Sequence, residues 1–289
     1  MTDKQPILLV RQIEELRNQV AAWKSEGLRV SLVPTMGALH DGHASLVKLA
    51  LKDADRVVVS LFVNPKQFND RTDLANYPRT EDADRDRLED LGAHMLYAPV
   101  REEIYPEGFA TSVVVEGPAI PLEGAHRPGH FAGVATVVCK LFNQVQPHSA
   151  VFGEKDFQQL AVLRRMVRDL DMAVEIIGGK TIREKDGLAL SSRNERLSDD
   201  DRKKAAGLSQ AMTNAVDAIE GGADIAGTLN RTQASILEAG FEKIDYLALV
   251  GAEDLQPMDE RDRDGRLVAA AFLGGVRLID NMPVKGPRR

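Results

Sequence analysis

Residues 57–63, Val-Val-Val-Ser-Leu-Phe-Val, form an apolar run that only Ser60 interrupts and that Asn64-Pro65 closes. A run without apolar–polar alternation suits a strand covered on both faces, which is the situation in a parallel sheet flanked by helices. The surrounding sequence alternates to match. Ile13, Leu16, Val20 and Trp23 recur at helical spacing, and the short apolar run 28–33 is entered through Gly27 and stopped by Pro34. Leu46, Leu49 and Ala50 mark a second helix. An acidic helix over 81–91, a strand at 95–98, a helix over 134–145, a strand at 150–152, a helix over 157–170 and a strand at 174–177 follow. Repeated strand–helix units predict an α/β fold with a doubly wound parallel sheet, whose ligands lie at the carboxyl ends of the strands.

Past Lys180 the texture changes. Helical stretches at 199–220 and 225–239 flank Gly221-Gly222, and strand-like runs follow at 244–250, 267–272 and 276–278. The chain has 289 residues, more than the roughly 250 at which single cores stop growing. Residues 1–181 are therefore expected to form the larger domain and residues 182–289 a smaller C-terminal α/β domain.

Composition narrows the partners. The net charge is −7, from 44 acidic and 37 basic residues, and no long basic run occurs outside the tail Arg288, Arg289, so nucleic acid is not an expected ligand. No apolar run approaches the roughly 20 residues of a membrane span. The polar start, residues 1–6, lacks the charged beginning and apolar centre of a secretory signal, and a cytoplasmic location is expected. A lone cysteine, Cys139, sits in the apolar pattern of Val134, Val137, Val138 and Leu141, which excludes a disulfide framework and a cysteine-based zinc site. An acidic protein that binds phosphate must concentrate positive charge locally, so Lys and Arg beside glycine-rich turns become informative.

Four segments carry such groups. Pro34-Thr35-Met36-Gly37-Ala38-Leu39-His40-Asp41-Gly42-His43 joins the first buried strand to its helix. Its glycines permit a tight turn, and free N–H groups at a helix start favour phosphate. His40 and His43 can share one face, where imidazoles donate to phosphate oxygens and, when protonated, offset charge on a leaving group. The competing reading is a pair of half-exposed histidines at a helix start capped by Asp41. Asn64-Pro65-Lys66-Gln67 follows the second buried strand and offers amides to a small polar substrate, or is an ordinary turn. Gly153-Glu154-Lys155-Asp156 opens another helix, with Lys155 a point charge for phosphate, Asp156 a cap or a ribose contact, and Gln159 one turn on; a solvated charge cluster is the alternative. Leu190-Ser191-Ser192-Arg193, at the expected domain junction, joins two hydroxyls to a guanidinium as a phosphate clamp, or is a serine-rich connector. Upstream, Arg127, His130 and Gly133 lie in a loop that adds charge to a carboxylate pocket or is an ordinary surface loop.

In this order the segments resemble the pantoate–β-alanine ligases, the pantothenate synthetase family. The match also takes in Tyr77-Pro78-Arg79-Thr80 and Arg277-Leu278-Ile279-Asp280-Asn281 and spans nearly the whole chain. The resemblance implies a Rossmann-like domain related to class I aminoacyl-tRNA synthetases, a C-terminal lid, a homodimer, and magnesium beside ATP. It implies ATP-dependent condensation of (R)-pantoate with β-alanine through pantoyl adenylate, giving pantothenate, AMP and pyrophosphate. On this pattern ATP is bound by Met36, Gly37, Ala38, Leu39, His40, Asp41, Gly42, His43, Gly153, Glu154, Lys155, Asp156, Ile182, Leu190, Ser191, Ser192 and Arg193. The catalytic set is His43, usually given as proton donor, with His40, Lys155 and Arg193. Gln67 and Gln159 hold pantoate, Asn64, Arg127 and His130 join the substrate pocket, and Asp84 is a magnesium ligand. Lys66 stands where relatives commonly carry methionine.

Overall fold

The computed structural model describes residues 6–69 and 71–287. The start of the polar N-terminal segment and the basic tail Arg288, Arg289 lie outside them. The chain divides into two compact units, residues 1–154 with 162–180, and residues 155–161 with 181–289.

In chain order the first part runs β1 (Leu8–Val10), α1 (Ile13–Ser25), β2 (Val30–Thr35), α2 (Asp41–Asp53), β3 (Arg56–Leu61), α3 (Arg71–Ala75), α4 (Glu81–Leu91), β4 (Met95–Tyr97), α5 (Arg101–Ile104), α6 (Glu123–His126), α7 (His130–Val145), β5 (Ser149–Gly153), α8 (Phe157–Asp169) and β6 (Glu175–Gly179). The six strands form one sheet in the order β1-β4-β3-β2-β5-β6, with every pairing parallel. Val57, Val58 and Val59 all have 0% exposure. Successive strand residues face opposite sides, so helices cover both faces, as the apolar run predicts. On one of them Leu46, Val47 and Ala50 of α2 join Val33, Val57 and Val59 in a core.

Two local expectations need correction. Pro34 does not stop β2: it pairs with Ser60, and the strand continues to Thr35. Pairing of β2 with β5 is confined to Ser31 and Leu32, so beyond Leu32 one side of β2 is an edge, where the missing N–H costs nothing. The segment containing His130 and Gly133 is not a loop, because α7 begins at His130, behind Gly129 in the left-handed region. β1 escaped the sequence reading because three residues show no period.

The second unit holds α9 (Asp199–Glu220), α10 (Ile225–Glu238), β7 (Lys243–Gly251), β8 (Gly265–Leu273) and β9 (Val276–Val284). Its strands form an antiparallel sheet, β7-β8-β9. Leu208 and Met212 of α9 and Ile236 of α10 pack with Leu267, Ala269 and Ala271 of β8. Ser198 caps α9 by accepting from Asp201 N, and Asp224 caps α10 by accepting from Gly227 N, each satisfying an N–H that the helix itself leaves unpaired. β9 outruns its expected end at Leu278 because Asp280 and Asn281, polar in sequence, are buried at 4% and 5% exposure. Among the described residues no helix is long and apolar enough to cross a membrane.

Candidate active site

Within the first unit, β2, β3 and β5 are neighbours and parallel, so the chain leaves all three at one edge of the sheet. Successive strands step one way from β2 to β4 and the other way from β5 to β6, which places the reversal of order between β2 and β5. That is where open α/β sheets receive ligands.

The turn after β2 is shaped from outside. Gly37 and Ala38 have φ of 87° and 51°, the left-handed region that costs a residue with a Cβ roughly 1–2 kcal/mol. Asp84 of α4, 3% exposed, accepts from Ala38 N at 2.9 Å, from Leu39 N at 2.8 Å and from Thr80 Oγ1 at 3.0 Å. A Cβ on Gly37 would stand 3.1 Å from the same carboxylate. Asp84, expected at a magnesium ion, also holds the turn through its two oxygens. Asp41, expected at ATP, pairs with Arg87, which also donates to Leu39 O at 3.2 Å.

The helix start is capped by its own histidines and not by Asp41. His40 Nδ1 accepts from Gly42 N at 3.1 Å, and His43 Nδ1 accepts from His40 N at 3.3 Å. The ring centroids are 4.1 Å apart. An Nδ1 that accepts assigns the proton of the neutral ring to Nε2. Capping and ligand donation thus use opposite nitrogens, and one imidazole can do both.

The turn after β3 is a hydrogen-bonded chain of amides. Tyr105 Oη donates to Asn64 Oδ1 at 2.8 Å, while Asn64 Nδ2 donates to Gln67 Oε1 at 2.9 Å and to Gly133 O at 3.1 Å. Gln67 Nε2 then donates to Met36 Sδ at 3.1 Å. Each link fixes the next: a backbone carbonyl only accepts, so Asn64 Nδ2 must face Gly133, and Gln67 must turn its oxygen inward and its NH₂ outward. Asn64, expected to touch substrate, is 1% exposed and holds the Gln67 amide oxygen. Burial pushes the Tyr105 phenol up, keeping it a donor.

Arg127 and His130 also serve Gln67. His130 Nδ1 meets Gln67 O at 2.8 Å, Arg127 donates to the same carbonyl at 3.3 Å, and Arg127 pairs with Glu123 at 3.3 Å. The expected charge for a carboxylate pocket is balanced by Glu123 and directed at backbone. Gly133 lets α7 approach, because a Cβ there would lie 2.3 Å from Lys66 O. The Lys66 ammonium lies 5.3 Å and 5.4 Å from the centres of the Tyr105 and Phe109 rings.

Gly153 ends β5, and Glu154, Lys155 and Asp156 form a 3₁₀ turn into α8. Lys155, Asp156 and Gln159 fall in the second unit, with Ile182, Leu190, Ser191, Ser192 and Arg193. Leu190 N donates to Ile182 O at 2.9 Å and Arg183 bridges Ala189, so a small hairpin brings Ile182 and Leu190 together. Ser191 Oγ accepts from Arg193 N at 3.2 Å and caps the 3₁₀ turn Ser192–Arg196. Asn194 Nδ2 holds Ala189 O at 3.1 Å. Sequence reasoning missed Tyr105, which has no motif around it. It also left Asp280 and Asn281 without a role, although both lie in a matched segment.

A parallel six-stranded sheet with this order, and a histidine-capped helix start at its reversal point, defines a Rossmann-like α/β protein, with the carboxyl edge as the candidate ligand site. The family model described as Pantoate-beta-alanine ligase matches residues 8–283. The pantothenate synthetase of Chelativorans sp. (strain BNC1) is 56% identical over 279 residues, 96% of this chain and 98% of its own length. The crystal structure of the Thermus thermophilus pantothenate synthetase superposes with a TM-score of 0.91 at 47% identity, covering 96% of this chain and 100% of that one. The Francisella tularensis pantoate-beta-alanine ligase, complexed with beta-gamma ATP and beta-alanine, gives 0.78 at 33% identity, covering 96% and 97%. The chain belongs to the pantoate–β-alanine ligase family and is an enzyme, a ligase.

Proposed function

We propose that the protein condenses (R)-pantoate with β-alanine at the expense of ATP, forming pantothenate, AMP and pyrophosphate through pantoyl adenylate. One observation carries the reading beyond family membership. A Gln67 amide, locked with its donor outward, stands beside Met36 in the turn that leads to the histidine-capped helix. Such a donor suits a hydroxyl or carboxylate oxygen, and the helix start suits phosphate.

A pantoate carboxylate oxygen attacks the α-phosphorus of ATP, the bond to the β-phosphate oxygen breaks, and pyrophosphate leaves. The amine of β-alanine then attacks the acyl carbon, the bond to the AMP oxygen breaks, and the amine loses its proton. Both first-step reactants are anions, so repulsion must be offset before in-line attack. His40 and His43 donate through Nε2 to phosphate oxygens, and Lys155 and Arg193 add positive charge. Gln67 and Gln159 hold pantoate, with Asn64, Arg127 and His130 supporting Gln67. The backbone of residues 36–43, Gly153-Glu154, Asp156, Ile182 and residues 190–192 completes the nucleotide contacts. Residues 182–289 act as the lid that keeps water from the adenylate.

For magnesium, no three His, Cys, Asp or Glu side chains converge among the described residues, and Asp84 also accepts from two backbone amides. This ion commonly binds through substrate phosphates and water with few protein ligands. A homodimer in the cytoplasm completes the proposal. Val114 and Ile120, 70% and 64% exposed on an irregular segment of the first unit, support an apolar contact with a second copy. The decisive assay follows pyrophosphate and AMP separately. Pyrophosphate should appear with ATP and pantoate, and AMP with pantothenate on adding β-alanine. AMP formed without pantoate, with no pantothenate made, would overturn the reading.

A further inference from the structure

Several hydrogen bonds meet at Asn281. Its Nδ2 donates to the backbone carbonyl of Lys155 at 2.8 Å, its Oδ1 accepts from Arg266 Nε at 2.6 Å, and its own N–H donates to Asp280 Oδ1 at 2.7 Å. A guanidinium only donates and a backbone carbonyl only accepts, so the amide has one possible orientation. Asn281 and Arg266 are 5% and 9% exposed. The Arg266 guanidinium carbon also lies 4.3 Å from the centre of the Phe157 ring. The turn bearing Lys155 is thus fastened to β8 and β9 at both Lys155 and Phe157, within the second unit.

The neighbouring residue repeats the arrangement. Asp280 receives Arg183 through both guanidinium nitrogens at 2.7 Å and 2.8 Å, a fork that sets orientation as well as distance. Arg183 belongs to the hairpin of Ile182 and Leu190. Two adjacent residues of β9 therefore hold the turn of Lys155 and the hairpin that leads into Ser191-Ser192-Arg193.

We propose that Asn281 is a positioning residue for Lys155, setting the lysine's backbone so that its ammonium addresses the phosphates during adenylation. The inference rests on the assignment of Lys155 to the phosphates. Asn281 touches no reacting atom; it acts through the Lys155 carbonyl.

The experiment separates the two chemical steps. Asn281→Asp is nearly isosteric and keeps an oxygen for Arg266, but sets a carboxylate oxygen against Lys155 O in place of the N–H. Adenylation is read as pantoate-dependent exchange between pyrophosphate and ATP, and the second step as conversion of supplied pantoyl adenylate and β-alanine to pantothenate. Exchange should fall by about 10- to 100-fold, the scale of an ångström's misplacement, while the second step stays within about twofold. Lys155→Ala should lower exchange likewise, and the double variant should be no slower than Lys155→Ala alone. Asn281→Ala repeats the comparison should the aspartate variant not fold. Equal loss in both steps, additive loss in the double variant, or undiminished exchange would overturn the role of Asn281. Undiminished exchange in Lys155→Ala would instead overturn the assignment of the lysine.

Discussion

The carboxylate of Asp84 receives the backbone N–H of Leu39 at 2.8 Å across 45 positions of sequence. With its bond to Ala38 N, this means that the turn before the histidine-capped helix takes its form from α4 as much as from its own glycine.

Asp84→Asn retains one acceptor and turns an NH₂ toward a backbone N–H. The loss should be about 1–3 kcal/mol for a buried group left unpaired, seen as a lower urea or thermal midpoint. The KM for ATP should rise more than that for pantoate, and added magnesium should not restore it. Recovery with magnesium would return Asp84 to the metal.

His43 should separate into a structural and a chemical half. His43→Asn places an oxygen near the former Nδ1 and should keep most of the cap, worth about 1 kcal/mol, while losing the Nε2–H. His43→Gln reaches the Nε2 position instead. Adenylation should fall by roughly 100-fold or more in the Asn variant, with the Gln variant faster yet less stable. The reverse ranking in stopped-flow and melting measurements would reduce His43 to a helix cap.

Asn64→Asp keeps the acceptor for Tyr105 but removes the Nδ2 donor that holds Gln67 Oε1, and Gln67 should then lose its single orientation. Pantoate KM should rise severalfold while ATP KM stays near the parent value. Gln67→Glu replaces the outward NH₂ with a carboxylate oxygen facing an anionic substrate and should be worse. Equal changes in both KM values would detach the amide chain from pantoate.

Stability should weaken on mild acidification through His94. Burial, and then the charge of Arg56, hold its pKa below the ordinary value, and its Nδ1 accepts from Val57 N at 3.1 Å. The unfolded chain takes up this proton near pH 6.5, whereas the folded chain resists it. The contribution is complete above about pH 6.5 and declines as pH falls toward the folded pKa. His94→Asn keeps an acceptor for Val57 and should flatten urea-derived stability between pH 7 and 5. An unchanged slope would exclude His94 as the cause.

The buried strands and long helices were legible because their cause is local. Val57 to Val59 are apolar in sequence whichever way they point, and the spacing of Leu16, Val20 and Trp23 survives any tertiary arrangement. Pro34 misled because its cost depends on where the neighbouring strand ends. The end of β9 misled because Asp280 and Asn281 look like surface residues until Arg183, Arg266 and the Lys155 carbonyl are in place.

The histidine segment shows the same division. Its residue types alone identify a helix start suited to phosphate, since backbone N–H groups, glycine and imidazole have those properties in any fold. That Asp84 holds the turn, and that Gly133 and His130 fix Asn64 and Gln67, were decided by tertiary structure. Hydrogen bonds act over about 3 Å, and the partners of Leu39 and Gln67 lie 45 and 63 positions away in the chain. No local pattern encodes such a pairing; the packing of α4 and α7 against the sheet creates it.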